Sequence, residues 1–252
     1  MTVHFVGAGP GAADLITVRG QQLLVDADVI IYAGSLINPA LLEGVRCNRH
    51  LYDSARMTLE EVLAVIVDAE ARGWMTVRLH SGDPSLYGAI HEQMRALDRL
   101  DIDYDVCPGV SSFSAAAAAL RIEYTVPEVT QSVILTRMPG RTPMPQAETV
   151  AGFSQHGSSM VVFLSTGLLD ELSVQLVSGG RKADDPAAIV YKASWPDEQV
   201  LACTIATLAP TARAHGITST ALIIVGPCLS NHDTTSRLYA KDFSTGLREA
   251  HP

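Results

Sequence analysis

A chain of 252 residues with an apolar share of 47% buries a sizeable core, which excludes wholesale disorder. Eighteen Lys and Arg against 27 Asp and Glu leave a net charge of −9. That balance argues against broad, non-specific binding to nucleic acid or an anionic membrane and restricts any anion site to a local cleft.

The start of the chain, MTVHFVGAGPG, lacks a basic segment followed by an apolar run and a cleavage site. No apolar run reaches the ~18 residues of a membrane span. Cys47, Cys107, Cys203 and Cys228 form no CxxC pair and no zinc-like spacing. They fit buried small side chains in a reducing cytoplasm, with no metal site. The pattern then predicts a strand over 3–6, a helix over 17–26 and a strand over 28–32. Next come a helix over 59–71, opened by Thr58 and Glu61 as a capping box, and a strand over 76–80. A helix over 85–97, a strand over 104–107 and an Ala-rich helix over 114–119 complete an open, largely parallel α/β sheet. Residues 125–146 hold four prolines and mark a boundary. The expected division is an N-terminal domain, 1–125, and a C-terminal domain, 126–252. The second is mixed α/β, with strands over 132–136, 159–164, 187–191, 199–204 and 221–225, and helices at about 167–178 and 207–215.

Three special turns follow strands of the first half: GAGPG at 7–11, SGDPSLYG at 81–88 and PGVSS at 108–112. Ligands of open parallel sheets sit outside the carboxyl ends of the strands, so three such turns on one edge suggest a floor for a small molecule. Gly7, Gly9 and Ala12 satisfy the relaxed dinucleotide fingerprint. Against a dinucleotide, Pro10 removes a backbone donor where pyrophosphate needs one. The second strand also ends in Tyr32-Ala33-Gly34, without the acidic residue that holds the ribose. No GxxxxGK[ST], GxSxG or HExxH occurs. His80 and Tyr87 are weak candidates for handling a proton. A site of glycines and small hydroxyls suits a reaction driven by an already activated donor.

At these junctions the sequence resembles the tetrapyrrole (corrin/porphyrin) methylases, over nearly the whole chain. The carrying segments are VGAGPGAADLITVRG (6–20), RLHSGDPSLYG (78–88), PGVSSFSAAAA (108–118) and TALIIVG (220–226). YAGSLINP (32–39), LYDSARMTLEE (51–61) and YKASWPDE (191–198) are similar to the precorrin-4 C-11 methyltransferases within that family. The resemblance implies two α/β domains, an active site in the cleft between them and a cytoplasmic homodimer. It implies S-adenosyl-L-methionine as donor, S-adenosyl-L-homocysteine as product and a tetrapyrrole acceptor. Carried over residue by residue, Pro10 lies beneath the donor, and Ser81, Gly82, Asp83 and Leu86 line its amino-acid and ribose portions. Ser111 and Ser112 match the small pair after the Pro-Gly turn. Leu164 or Ser165, Ala193, Thr220 and Ala221 are the second domain's contribution around the adenine. In one departure, Ala33 stands where the uroporphyrinogen methyltransferases carry an Asp. That favours a later, corrin-pathway acceptor and leaves the general base unassigned.

Attack on a sulfonium methyl disperses charge rather than creating it, so alignment supplies most of the acceleration, as much as ~7–11 kcal/mol in well-oriented systems. A polycarboxylate acceptor on an acidic protein needs local cations. Arg137 and Arg141 are the first candidates, with Arg56 and Lys192 behind them. The alternatives are a sister methylase acting at another ring carbon and a ligand-binding module that transfers nothing.

Overall fold

The structure, a computed structural model, describes residues 2–43, 45, 50–140, 142–230, 234 and 236–250. It divides into two compact units: Met1–Ala119 with Lys192–Gln199, and Leu120–Tyr191 with Val200–Pro252.

The first unit is a five-stranded sheet of β1 (Val3–Gly7), β2 (Val29–Tyr32), β3 (Leu51–Asp53), β4 (Thr76–His80) and β5 (Tyr104–Cys107). The order is β3-β2-β4-β1-β5 and every pairing is parallel. Strands covered on both faces read as continuous apolar runs rather than alternating ones, which is how VIIY reads. On one face Val6, Ile30, Val77 and Leu79 pack with Leu24 of α1 (Val18–Asp26). On the other, Phe5 and Ile31 meet Val62 and Ile66 of α2 (Leu59–Ala71) and Leu97 of α3 (Ile90–Arg99). Each fully buried aliphatic or aromatic chain contributes about 1.5–3 kcal/mol. The Ala-rich segment forms α4 (Ser112–Leu120).

The predicted capping box is present. Thr58 Oγ1 accepts from the Glu61 N–H (3.3 Å) and Glu61 Oε2 accepts from the Thr58 N–H (2.7 Å). Replacing Thr58 with Ala should cost about 1 kcal/mol in urea unfolding; a change below a few tenths would show that α2 does not depend on the box.

Two expectations differ from the structure. The helix predicted over 85–97 begins only at Ile90, because Tyr87 (φ 57°) and Ala89 (φ 50°) are left-handed. Gly88 also lies too close to the Pro84 carbonyl for a Cβ, which would come within 2.3 Å of its oxygen. Residues 84–89 are thus a compact turn. The edge strand β3 was not anticipated; its three residues are too few to show a period.

The second unit's sheet holds β6 (Val133–Arg137), β7 (Ser159–Phe163), β8 (Pro186–Tyr191), β9 (Gln199–Thr204) and β10 (Ala221–Val225) in the order β6-β7-β10-β8-β9. β6 and β7 are parallel, while β10 runs antiparallel to β7 and β8. The start of β10 therefore shares an edge with the ends of β6, β7 and β8. Met160, Val162, Ile189 and Ile223 are fully buried with Leu172 and Leu176 of α6 (Leu169–Ser178) and Leu208 of α7 (Leu208–Ala214). A short α5 (Val150–Ser154), capped by Thr149, was not anticipated. Cys107 and Cys228 are buried, and burial pushes the partly covered Cys203 thiol up to about 11. Cys47 lies outside the described residues.

Candidate functional site

The three turns of the first unit meet at their glycines. Gly9 and Gly82 pair as an isolated antiparallel bridge, with Gly82 N donating to Gly9 O (2.8 Å) and Gly9 N to Gly82 O (3.2 Å). A Cβ on Gly7 would stand 2.5 Å from Gly109 Cα and 2.7 Å from Gly82 O; one on Gly109 would stand 2.2 Å from Gly82 O. All these neighbours are backbone, so no side-chain rotation makes room. Close approach of three main chains is the physical reason for glycine at all three turns. The arrangement leaves a floor of backbone with Ser111 and Ser112 beside Gly82.

Asp83 fastens this junction. Its Oδ2 accepts from Gly109 N (2.8 Å), and its Oδ1 accepts from Ser85 N (2.9 Å) and from Ser85 Oγ. Partial burial pushes the carboxyl up, but these hydrogen bonds together outweigh it and hold it below its ordinary value. Leu86 N returns to Asp83 O (3.2 Å), and Ser81 is partly buried beside them. On the GAGPG loop, Pro10 is buried, and the Gly11 carbonyl accepts from Asn38 Nδ2 (2.8 Å).

The two proton-handling candidates differ sharply. His80 is buried, with its ring centroid 6.0 Å from that of Phe5, and its Nε2 has no hydrogen-bond partner. Burial, aided by the Arg78 charge, drives its pKa down to about 3, so the ring is neutral at physiological pH. Tyr87 is exposed on the left-handed turn. Arg78 is itself buried. Its Nε donates to Gln93 Oε1 (3.0 Å) and its Nη1 to the Ile31 carbonyl (3.1 Å). Ala33, in the loop after β2, is partly buried. Asp53, opposite Tyr32 in register, brings a carboxylate beside that loop, where it accepts from Ala55 N (2.9 Å).

In the second unit, Leu164 follows β7 and Ala221 opens β10, which the register sets against Tyr191 at the end of β8. Leu164 (φ 51°) and Thr220 (φ 55°) are left-handed without being glycine, as are Lys192 (φ 46°) and Ser194 (φ 67°) in the 192–199 segment of the first unit. Such strain costs of order 1–3 kcal/mol each and gathers at functional sites. Leu164 is exposed, whereas Ser165 is buried, donating to Phe163 O (2.6 Å) and accepting from Met138 N (2.8 Å). Ala193 is buried in the 192–199 segment, which groups with the first unit and not with Leu164, Thr220 and Ala221.

Among the proposed cations, Arg137 donates to the carbonyls of Met138 (3.1 Å), Thr142 (3.3 Å) and Pro143 (2.9 Å), holding together the loop that follows β6. Lys192 pairs with Asp197 (2.6 Å). Arg56 is exposed at the end of the turn Ser54–Arg56, and Arg141 lies outside the described residues.

The family model for Tetrapyrrole (Corrin/Porphyrin) Methylases matches residues 2–209. The chain belongs to this family. Among the methylases it is similar to the cobalt-precorrin-4 C(11)-methyltransferase of Methanocaldococcus jannaschii, at 47% identity over 99% of this chain and 96% of that one. It is equally similar to the precorrin-4 C(11)-methyltransferase of a Sinorhizobium species, at 47% identity over 98% of each. A solved cobalt precorrin-4 methyltransferase superposes with a TM-score of 0.88 at 41% identity, covering 91% of this methylase and 96% of that chain. The uroporphyrin-III C-methyl transferase of Thermus thermophilus, solved with S-adenosylhomocysteine, shares the fold at 24% identity and a TM-score of 0.74, covering 90% and 92%.

Sequence reasoning singled out the GDP loop and the Ser pair but passed over Arg78, Asn38 and the 194–195 dipeptide. Arg78 carried a signal in retrospect: a charged residue inside the strand TVRLH, whose every residue is buried.

Proposed function

We propose that this methylase transfers a methyl group from S-adenosyl-L-methionine to C-11 of precorrin-4, or of its cobalt form, giving precorrin-5. The observation that carries the donor assignment is the glycine junction. Where Gly7, Gly82 and Gly109 meet, the main chains approach too closely for a Cβ, and Ser111 and Ser112 lie beside Gly82, a surface suited to a ligand lying against the main chain. Full-length identity of 47% to proteins named for the C-11 reaction supports the acceptor and the ring carbon. The bound sulfonium supplies an activated methyl group. In this reading Pro10, Ser81, Gly82, Leu86, Ser111 and Ser112 hold it in the first unit. Asp83 acts through its bonds to Gly109 and Ser85, fixing the two loops at one separation. Leu164, Ser165, Ala193, Thr220 and Ala221 complete the donor's surroundings. The protein's task is orientation, consistent with the absence of an ionised group in His80 at neutral pH. The same reading places the donor-gripping loops in residues 1–125, with 126–252 completing the enzyme, and takes the protein as a cytoplasmic homodimer. No described helix is long and apolar enough to cross a membrane.

The test supplies methyl-labelled S-adenosyl-L-methionine with precorrin-4 and, separately, cobalt-precorrin-4. One labelled methyl at C-11 of either is expected. Label at another carbon would assign the chain to a sister reaction, and binding of donor without transfer would make it a ligand-binding module. Arg137→Ala should raise the acceptor KM at least tenfold, the scale of one charge-assisted hydrogen bond, while leaving donor binding intact. An unchanged acceptor KM in folded protein removes Arg137 from the acceptor site.

A further inference from the structure

The segment 192–199 overlaps YKASWPDE (191–198), one of the stretches that carries the resemblance, yet the donor and acceptor assignments use only Lys192 and Ala193 of it. It interrupts the second unit's chain between β8 and β9 and groups with the first unit. There it meets the end of the loop GAGPG and the residue after it, at Pro10, Gly11 and Ala12. Trp195 Nε1 donates to the Pro10 carbonyl (3.1 Å), and Ser194 Oγ accepts from the Ala12 N–H (3.0 Å). Between them, Gly11 lies against the indole so closely that a Cβ there would stand 2.0 Å from Trp195 Cδ1.

The segment is internally braced for this contact. Trp195 N donates to Lys192 O (2.9 Å) and Glu198 N to Trp195 O (3.1 Å), while Glu198 Oε2 accepts from Ser194 N (2.6 Å). The Lys192 ammonium, paired with Asp197, stands 5.4 Å from the indole centroid. Two left-handed non-glycine residues, Lys192 and Ser194, bend the chain into this shape. A bend that disfavours its own residues persists only where the surroundings over-determine it. Surface packing alone does not require both an N–H donor and a hydroxyl acceptor bonded to one loop.

We infer that residues 194–195 form a clasp that fixes the main-chain course of GAGPG, and that Trp195 is a positioning residue for the sulfonium donor. The inference rests on the donor assignment above. Without the clasp, Pro10 still has its ring-fixed φ and Gly11 its bond from Asn38, but the Pro10 carbonyl and the Ala12 N–H lose their partners on either side of Gly11. Trp195 acts through the loop and makes no claim on the methyl group itself.

The test uses the full chain and S-adenosylhomocysteine as the probe. Trp195→Phe keeps the ring against Gly11 and deletes only the N–H. Its donor KM, and its Kd for S-adenosylhomocysteine by calorimetry, should rise about fivefold, the loss for one neutral hydrogen bond, with kcat nearly unchanged. Ser194→Ala should raise the donor KM in the same direction. Trp74 is the control, since it lies beyond the opposite end of β4, with the His50 ring tilted against it at 4.5 Å and Arg72 over it at 4.7 Å. Trp74→Phe should leave binding unchanged and keep the fluorescence response to the probe, whereas Trp195→Phe should abolish that response. Wild-type binding together with unaltered KM and fluorescence response in folded Trp195→Phe overturns the clasp alone. Absence of binding by the wild type overturns the donor assignment and the clasp with it.

Discussion

Gly109→Ala should destabilise the protein by about 3 kcal/mol or more and weaken donor binding at least tenfold. The added Cβ would fall 2.2 Å from Gly82 O and 2.7 Å from Gly7 Cα. Overpacking typically costs 1–3 kcal/mol when side chains can shift. Here the obstructing atoms are main chain, held by the Gly9–Gly82 bridge and by Asp83 on Gly109 N, so the upper end applies. That is a large part of a domain's total of roughly 5–15 kcal/mol. Gly167→Ala, where a Cβ meets nothing within 4 Å, should leave stability within about 0.5 kcal/mol of wild type. Gly7→Ala intrudes at the same junction. Once one Cβ has forced it open the second costs little, so the double variant should lose less than the sum of the singles. Urea unfolding and donor calorimetry check all four proteins. A stable, donor-binding Gly109→Ala variant would show that the three loops do not act together.

Acid should weaken the fold through His80. The ring's pKa is about 3 in the folded protein, lowered by burial first and by Arg78 second, whereas an unfolded histidine titrates near ~6.5. Between those values the unfolded chain binds a proton that the folded chain does not. Stability therefore rises with pH through this window and falls as pH is lowered from ~6.5, at a slope approaching ~1.4 kcal/mol per pH unit, until the folded ring itself protonates. His80→Met fills the site with a flexible apolar chain and removes the group that titrates. The variant should match or exceed wild type at pH 7 and have the shallower acid limb between pH 6.5 and 4.5. Parallel acid limbs would assign the sensitivity to other groups. The same neutrality has a catalytic corollary: the rate profile from pH 6 to 8 should show no inflection that His80→Met removes.

How much of this was legible in the sequence follows a physical line. Patterns generated within one element were readable. The helix Leu59–Ala71 and the strands Thr76–His80 and Ala221–Val225 fell where periodicity and capping residues placed them. The three turns were readable as turns, because glycine and proline restrict the chain locally. That they touch one another was not, since Gly7, Gly82 and Gly109 are brought together only by the β4-β1-β5 order of the sheet. Left-handed Tyr87, Ala89, Leu164 and Thr220 were misleading at the residue level. An L side chain argues against that conformation, and only the finished surroundings impose it. This is why a helix over 85–97 was expected and a turn stands at its start. The bond from Trp195 to Pro10 joins residues 185 positions apart and leaves no short-range trace.

The late position of that tryptophan has a consequence for synthesis. The first 119 residues emerge from the ribosome with all five strands of their sheet, yet 192–199 must still be translated before Pro10, Gly11 and Ala12 gain their partners. For some 70 further codons the glycine loop of the nascent N-terminal half therefore lacks the partners that Ser194 and Trp195 supply. Ribosome-stalled chains ending at 185 and at 230 should differ at that loop in proteolytic accessibility, with the longer chain the more protected.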